Sequence, residues 1–210
     1  DQIWNTSYET GRDGAFYLDF VKTGVKASYS ASFSYTEISE EWEEKIAGWL
    51  KDFKKIAVRE YHGVDILKRM GFDGCWVLDP VFLLPIEKWK EIMTPVNNKE
   101  PYLLVYDFES NKEIERFCKE YAKKKGLKIY SINDTYPRLY ADKNFSSAGP
   151  REFLSLIYHC DAFVSNSFHG TAFSIIFGKP VFVFNRNRHK VNSRMESLTK
   201  MFGIEECIVP

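Results

Sequence analysis

The richest set of reactive side chains in the 210-residue sequence is packed into one short run, Ser165-Asn166-Ser167-Phe168-His169-Gly170-Thr171, between the apolar stretches 162–164 and 172–177. Hydroxyls, an amide, an imidazole and backbone N–H groups at a passage from strand to helix form an anion site, because the first N–H groups of a helix lack internal partners. Gly170 would let a ligand approach the backbone closely. His169 exchanges a proton near neutral pH and is the acid or base candidate among the four histidines. A second reading stays open: Ser167 or Asn166 caps the helix and His169 only fills its first turn. His62, beside a glycine at a helix start, His159, ahead of a strand, and His189, in a basic loop, read as structural or solvated.

Two further groups could hold an anion. Arg59 and Glu60 end an apolar strand, where a guanidinium can grip a carboxylate or phosphate through two hydrogen bonds. A surface or interdomain salt bridge is the alternative. The segment 185–194, NRNRHKVNSR, brings Arg186, Arg188, Lys190 and Arg194 together in an otherwise neutral chain, and suits either a phosphorylated ligand or a solvated loop. No G-x-x-x-x-G-K-[ST] loop, G-x-S-x-G elbow or D-x-D triplet occurs. Cys75, Cys118, Cys160 and Cys207 are scattered without zinc-ligand spacing, so neither a metal nor a bound cofactor is expected.

These residues need a scaffold whose strand ends face one way. The segments AFYLDFV and VKASYSASF read as strands around Gly24, and SEEWEEKIAGWLKDFK reads as an amphipathic helix with Trp42, Ile46, Trp49, Leu50 and Phe53 on one face. KIAVRE, HGVDILKRMGF and CWVLDP come next as strand, helix and strand, and PIEKWKEIM as a helix. The rhythm restarts at Tyr102: YLLVYDF (strand), NKEIERFCKEYAKKKG (helix), LKIYSI (strand), a polar stretch, then PREFLSLIYHC (helix) and AFVSN (strand). TAFSIIFG (helix), PVFVFN (strand) and SRMESLTKMFG (helix) complete it. Strands alternating with helices predict parallel, doubly wound α/β sheets. Pro95 and two asparagines in TPVNNKE put the expected domain boundary between residues 1–95 and residues 96–210. In such sheets ligands bind at the carboxyl ends of strands, here VREYHG, YDFESN and SNSFHGT.

Lys plus Arg and Asp plus Glu both number 29, which argues against nucleic acid as a partner. No apolar run reaches the roughly 18 residues of a membrane span, and no leader opens the sequence, so a cytoplasmic location is expected. Aromatic residues make up 16% of the chain and read mostly as core. The opening DQIWNTSYE reads as the exit from a buried strand.

Several segments together resemble the polysaccharide pyruvyl transferase family. DQIWN resembles an early G-S-D-Q-x-W-N motif; IAVRE, GVDILKRMGF and VLDPVFLL resemble the central segment; DAFVSNSFHGTAFSIIFGKPVFVF resembles the late signature; and NSRMESLTKMFGI fits the segment after it. The resemblance implies a GT-B-like fold of two Rossmann-like domains facing a cleft, with the amino-terminal one incomplete in this chain. It implies transfer of a pyruvyl group from phosphoenolpyruvate to a saccharide acceptor as a ketal in surface polysaccharide synthesis. His169 would then be acid or base, Arg59 would bind the donor, and Ser165, Asn166, Ser167, Gly170, Thr171, Lys190 and Arg194 would contact substrate. Many members carry Arg-Leu-His-Gly where this chain has Ser167-Phe168-His169-Gly170. The charge would come from Lys190 or an arginine of the 186–194 loop, or the donor would differ. A glycosyltransferase using a nucleotide sugar and a silent saccharide- or phosphate-binding module are the alternative readings.

Overall fold

The computed structural model describes residues 2–95, 100–133, 136–187 and 192–210. The chain divides into two compact units, Asp1–Pro80 with His189–Gly203 and Val81–Arg188 with Ile204–Pro210.

In the first unit β1 (Lys26–Ala31), β2 (Phe53–Val58) and β3 (Cys75–Trp76) form a parallel sheet in that order. Helices α1 (Glu40–Leu50) and α2 (Tyr61–Arg69) make the crossovers, and α7 (Ser193–Phe202) belongs to the same unit. Trp4, Phe33, Ile46, Leu50, Val58, Ile66 and Leu67 fill its core, so the aromatic start of the chain is interior. The segment expected as a strand, AFYLDFV, instead makes a 3-10 turn, Gly14–Tyr17. Tyr17 is the one large side chain buried there: its ring stacks on Trp4 at 5.2 Å and its hydroxyl donates to the Gly11 carbonyl at 3.0 Å.

The second unit is a six-stranded sheet with every neighbouring pair parallel, in the order β6-β5-β4-β7-β8-β9. Its strands are β4 (Tyr102–Tyr106), β5 (Lys128–Ile132), β6 (Lys143–Phe145), β7 (Ala162–Ser165), β8 (Val181–Phe184) and β9 (Ile208–Val209). Numbered from β4 this is the 3-2-1-4-5-6 order of the doubly wound dinucleotide folds, with its switch point between β4 and β7. Both faces are covered, as parallel sheets require: Tyr102 and Leu104 pack into one core and Leu103 and Val105 into the other. Strand β6 lies inside the polar stretch between LKIYSI and PREFLSLIYHC, to which the sequence assigns no element, and its pairing of Tyr130 with Lys143 and Ile132 with Phe145 supplies an order that its own short sequence does not.

The helices start and stop where local chemistry dictates. Helix α4 (Lys112–Lys125) is capped by Asn111, whose Oδ1 accepts from the Glu113 N–H at 2.8 Å, and ends at Gly126 with φ 67°. Pro150 opens α5 (Pro150–His159) at a position where its missing N–H costs nothing. The division falls after Pro80 rather than between 95 and 96, because α3 (Ile86–Glu91) packs on the second core. Trp89 donates its indole N–H to the Val81 carbonyl at 3.1 Å and meets Phe173 edge-on at 4.9 Å.

Candidate active site

At the switch point Tyr106 and Ser165 are register partners, and the chain beyond each is held to the other. Ser165 Oγ donates to the Tyr106 carbonyl at 2.6 Å and accepts from the Ser167 N–H at 2.9 Å. Asn166 Nδ2 donates to Asp107 Oδ1 at 2.8 Å while its Oδ1 accepts from the Phe108 N–H at 3.0 Å. The Asp107 carboxylate also accepts from the N–H groups of Glu109 at 2.9 Å and Asn111 at 2.6 Å. Asp107 and Asn166 are both buried. A buried carboxylate with three donors is a satisfied one.

Helix α6 (Phe168–Ile176) begins two residues past β7, three residues earlier than expected, so His169 is its second residue. Ser167 caps it, its Oγ accepting from the Gly170 N–H at 3.2 Å and its carbonyl from the Thr171 hydroxyl at 3.0 Å. Gly170 has a packing reason of its own. A Cβ at Gly170 would sit 2.8 Å from the Phe163 ring, so the glycine lets α6 lie close on β7. His169 is half-buried, with its ring edge-on to Phe168 at 5.3 Å. Asn166 and Ser167 therefore do structural work, and so do Ser165 and Thr171.

The loop after β8 is strapped to the loop after β4. Glu109 accepts from Arg186 Nε at 3.4 Å and from the Asn187 N–H at 2.8 Å, and the Arg186 guanidinium lies 5.0 Å from the Phe108 ring centroid. Lys190, with Arg188 and His189, lies outside the described residues. Arg186 and Arg194 belong to different units, so the basic segment is divided between them.

In the first unit the ends of β1 and β2 meet in a buried polar cluster. Arg59 Nη1 donates to Asp79 Oδ2 at 2.7 Å, with the two side chains 1% and 6% exposed. This is a salt bridge in the interior of the first unit, not at a surface, since a buried guanidinium needs a buried counter-charge. Glu60 is fully buried, and its Oε1 accepts from the Ser34 N–H at 2.8 Å and the Ser32 hydroxyl at 3.1 Å. Its Oε2 has no hydrogen-bond partner. Burial holds the Glu60 carboxyl above the usual range, against the pull of Ser34, Arg59, Ser32 and Arg194. Arg194, on α7, is also buried. Gln2, in the amide orientation that satisfies both its ends, accepts from Arg194 Nη1 at 3.1 Å and donates to Ser34 Oγ at 3.0 Å.

The structure thus gathers Ser165, Asn166, Ser167, His169, Gly170 and Thr171 in the second unit and Arg59 and Arg194 in the first. Sequence reasoning missed Asp107, Glu109, Glu60 and Asp79 as organisers. A carboxylate immediately after an apolar strand was the available signal for Asp107. Burial pushes the Cys160 thiol up to about 12 and raises Cys118 as well, which makes both poor nucleophiles. Among the described residues no three His, Cys, Asp or Glu side chains converge as metal ligands would, and no helix is long and apolar enough to cross a membrane.

A parallel sheet in this order, with polar loops gathered at its carboxyl edge and a capped helix carrying an imidazole there, defines an α/β protein of the doubly wound class. The family model described as polysaccharide pyruvyl transferase matches residues 5–188, and the chain belongs to that transferase family. No curated protein matches the chain. Among solved structures it is similar to UDP-GlcNAc 2-epimerase from Neisseria meningitidis bound to UDP-GlcNAc, at 13% identity and a TM-score of 0.35, over 80% of this chain and 52% of that one. The chain thus spans about half the length of that protein.

Proposed function

We propose that the protein transfers a pyruvyl group from phosphoenolpyruvate to two hydroxyls of a saccharide, releasing phosphate, in surface polysaccharide synthesis. The observation that carries this reading is the position of His169 as second residue of α6, at the carboxyl end of β7 beside the switch point, in a chain of this family. The reaction adds a proton to the enol methylene to give a methyl group. One sugar oxygen bonds to the adjacent carbon as its proton leaves, the phosphate departs with its oxygen, and the second sugar oxygen closes the ketal. Of the two hydroxyl protons released, one balances the new methyl hydrogen and the other goes with the phosphate.

His169 supplies the proton to the methylene and accepts one from a hydroxyl, a role worth about 10²–10⁴-fold in rate. The N-terminal turn of α6 favours the donor's negative charge. Lys190 is the candidate grip for the donor phosphate in place of the family's more usual arginine, while Arg59 stays committed to Asp79 within the first unit.

The test is phosphate release from phosphoenolpyruvate in the presence of saccharide acceptors. The expected result is release that His169→Ala removes and His189→Ala leaves. Equal loss in both variants, or thermal stabilisation by nucleotide sugars and none by phosphoenolpyruvate, would overturn the reading. The second of those outcomes favours a nucleotide-sugar glycosyltransferase.

A further inference from the structure

A pocket of about 530 Å³ opens within the first unit, a size that suits a small molecule. Thr6 and Arg12 line it from the opening segment, Tyr35, Glu37 and Ser39 from the connection between β1 and α1, and Trp42 from the first turn of α1. Its walls are held from behind. Asn5 is buried, its Oδ1 accepts from the Ser7 N–H at 2.9 Å and its carbonyl from the Tyr8 N–H at 3.0 Å. Gly11 lets the segment close on itself, since a Cβ there would lie 2.2 Å from the Asn5 carbonyl oxygen. Ser7 Oγ donates to the Tyr35 hydroxyl at 3.0 Å and Arg12 Nε to the Thr6 carbonyl. The two sides of the pocket are thus tied together.

The polar groups on these walls are accessible and uncommitted. Ser39 stands at the N-cap of α1, yet its hydroxyl makes no capping hydrogen bond. The indoles of Trp4, Trp76 and Trp89 each donate to a backbone carbonyl at 3.1 Å, whereas the half-buried Trp42 has no such acceptor among the described residues. Lys45 Nζ and the Arg12 guanidinium lie 4.5 Å and 5.8 Å from the Trp42 ring centroid. The ring face is therefore engaged by cations, and the N–H is what Trp42 has left to offer. Arg12 and Glu37 are exposed, and neither has an ion-pair partner among the described residues. One guanidinium and one carboxylate make the lining neutral. A small anion would meet Glu37 and a small cation Arg12, so neither is favoured. A ligand whose oxygens both donate and accept can use the guanidinium, the indole N–H, the carboxylate and the hydroxyls together.

We infer that this pocket holds a neutral saccharide: Arg12 and the Trp42 N–H donate to its oxygens, Glu37 accepts from its hydroxyls, and the Tyr35 and Ser39 hydroxyls do both. The inference goes beyond pyruvyl transfer, because it asks only that the first unit bind sugar when no donor is present. Saturation-transfer NMR of the whole chain with lactose, cellobiose, mannobiose and diacetylchitobiose tests it, and is read apart from the phosphate-release assay. At least one of the four is expected to bind with a dissociation constant in the millimolar range or tighter. Arg12→Ala and Glu37→Ala, both at exposed positions, should each weaken that binding about five- to tenfold, the cost of one hydrogen bond to a charged group. Phosphoenolpyruvate should leave the bound sugar in place. Binding of none of the four sugars, binding unchanged in either variant, or displacement of the sugar by phosphoenolpyruvate would each overturn the proposal.

Discussion

Asn166 Nδ2 and Asp107 Oδ1 are 2.8 Å apart, and this hydrogen bond closes the point where the two halves of the six-stranded sheet diverge. The amide is needed because the carboxylate can only accept. Asn166→Asp would face two carboxylates across that gap, and like charges at this range resist joint ionisation. The variant should lose about 1–3 kcal/mol near neutral pH and recover some of it in mild acid. Thermal unfolding of both proteins across that range measures it.

Gly170 and Phe163 make the second prediction. Gly170→Ala places a methyl group 2.8 Å from the ring, and the overpacking should cost about 1–3 kcal/mol. Adding Phe163→Leu should return some of that loss, and a double-mutant cycle in urea gives the coupling.

The Arg59 and Asp79 pair should be costly to break and cheap to replace. Asp79→Asn leaves the Arg59 guanidinium, joined to it at 2.7 Å, without its carboxylate and should destabilise by about 3–5 kcal/mol. Arg59→Met combined with Asp79→Leu should be closer to wild type. Urea midpoints distinguish the two outcomes.

Glu60 sets a pH dependence. Burial raises its folded pKa above the unfolded value, so the folded chain binds the extra proton between those two values. The stability this brings is fully present below the unfolded value and is lost as pH rises through the folded one. Glu60→Gln, which resembles the protonated acid, should therefore gain on wild type as the pH is raised from about 4, the ordinary glutamate value, to neutrality. Paired denaturation curves at the two ends of that range check the sign.

Much of the second unit was legible in the sequence because its signals are local. The run YLLVY could only be a strand buried on both faces, and Asn111 and Gly126 mark the ends of α4 by their own chemistry. The alternation of strands and helices carried the parallel sheet with it. What escaped depends on distant partners. Asp107 is organised by Asn166, 59 residues away, and Arg59 by Asp79, 20 residues away. Strand β6 is fixed by its pairing with β5, and Tyr17 looks like a strand residue until Trp4 is seen against its ring. The run 165–171 stood out by residue type, and the part its hydroxyls and amide play in holding the loop together shows only once their partners are seen.

That last point bears on how the protein could be re-engineered. Ser165, Asn166, Ser167 and Thr171 act as the pins of a joint, and changing any of them would loosen the turn that presents the imidazole before it altered what the protein accepts. Libraries aimed at a new donor or acceptor should therefore leave this most recognisable stretch of the chain intact and vary the loops that surround it.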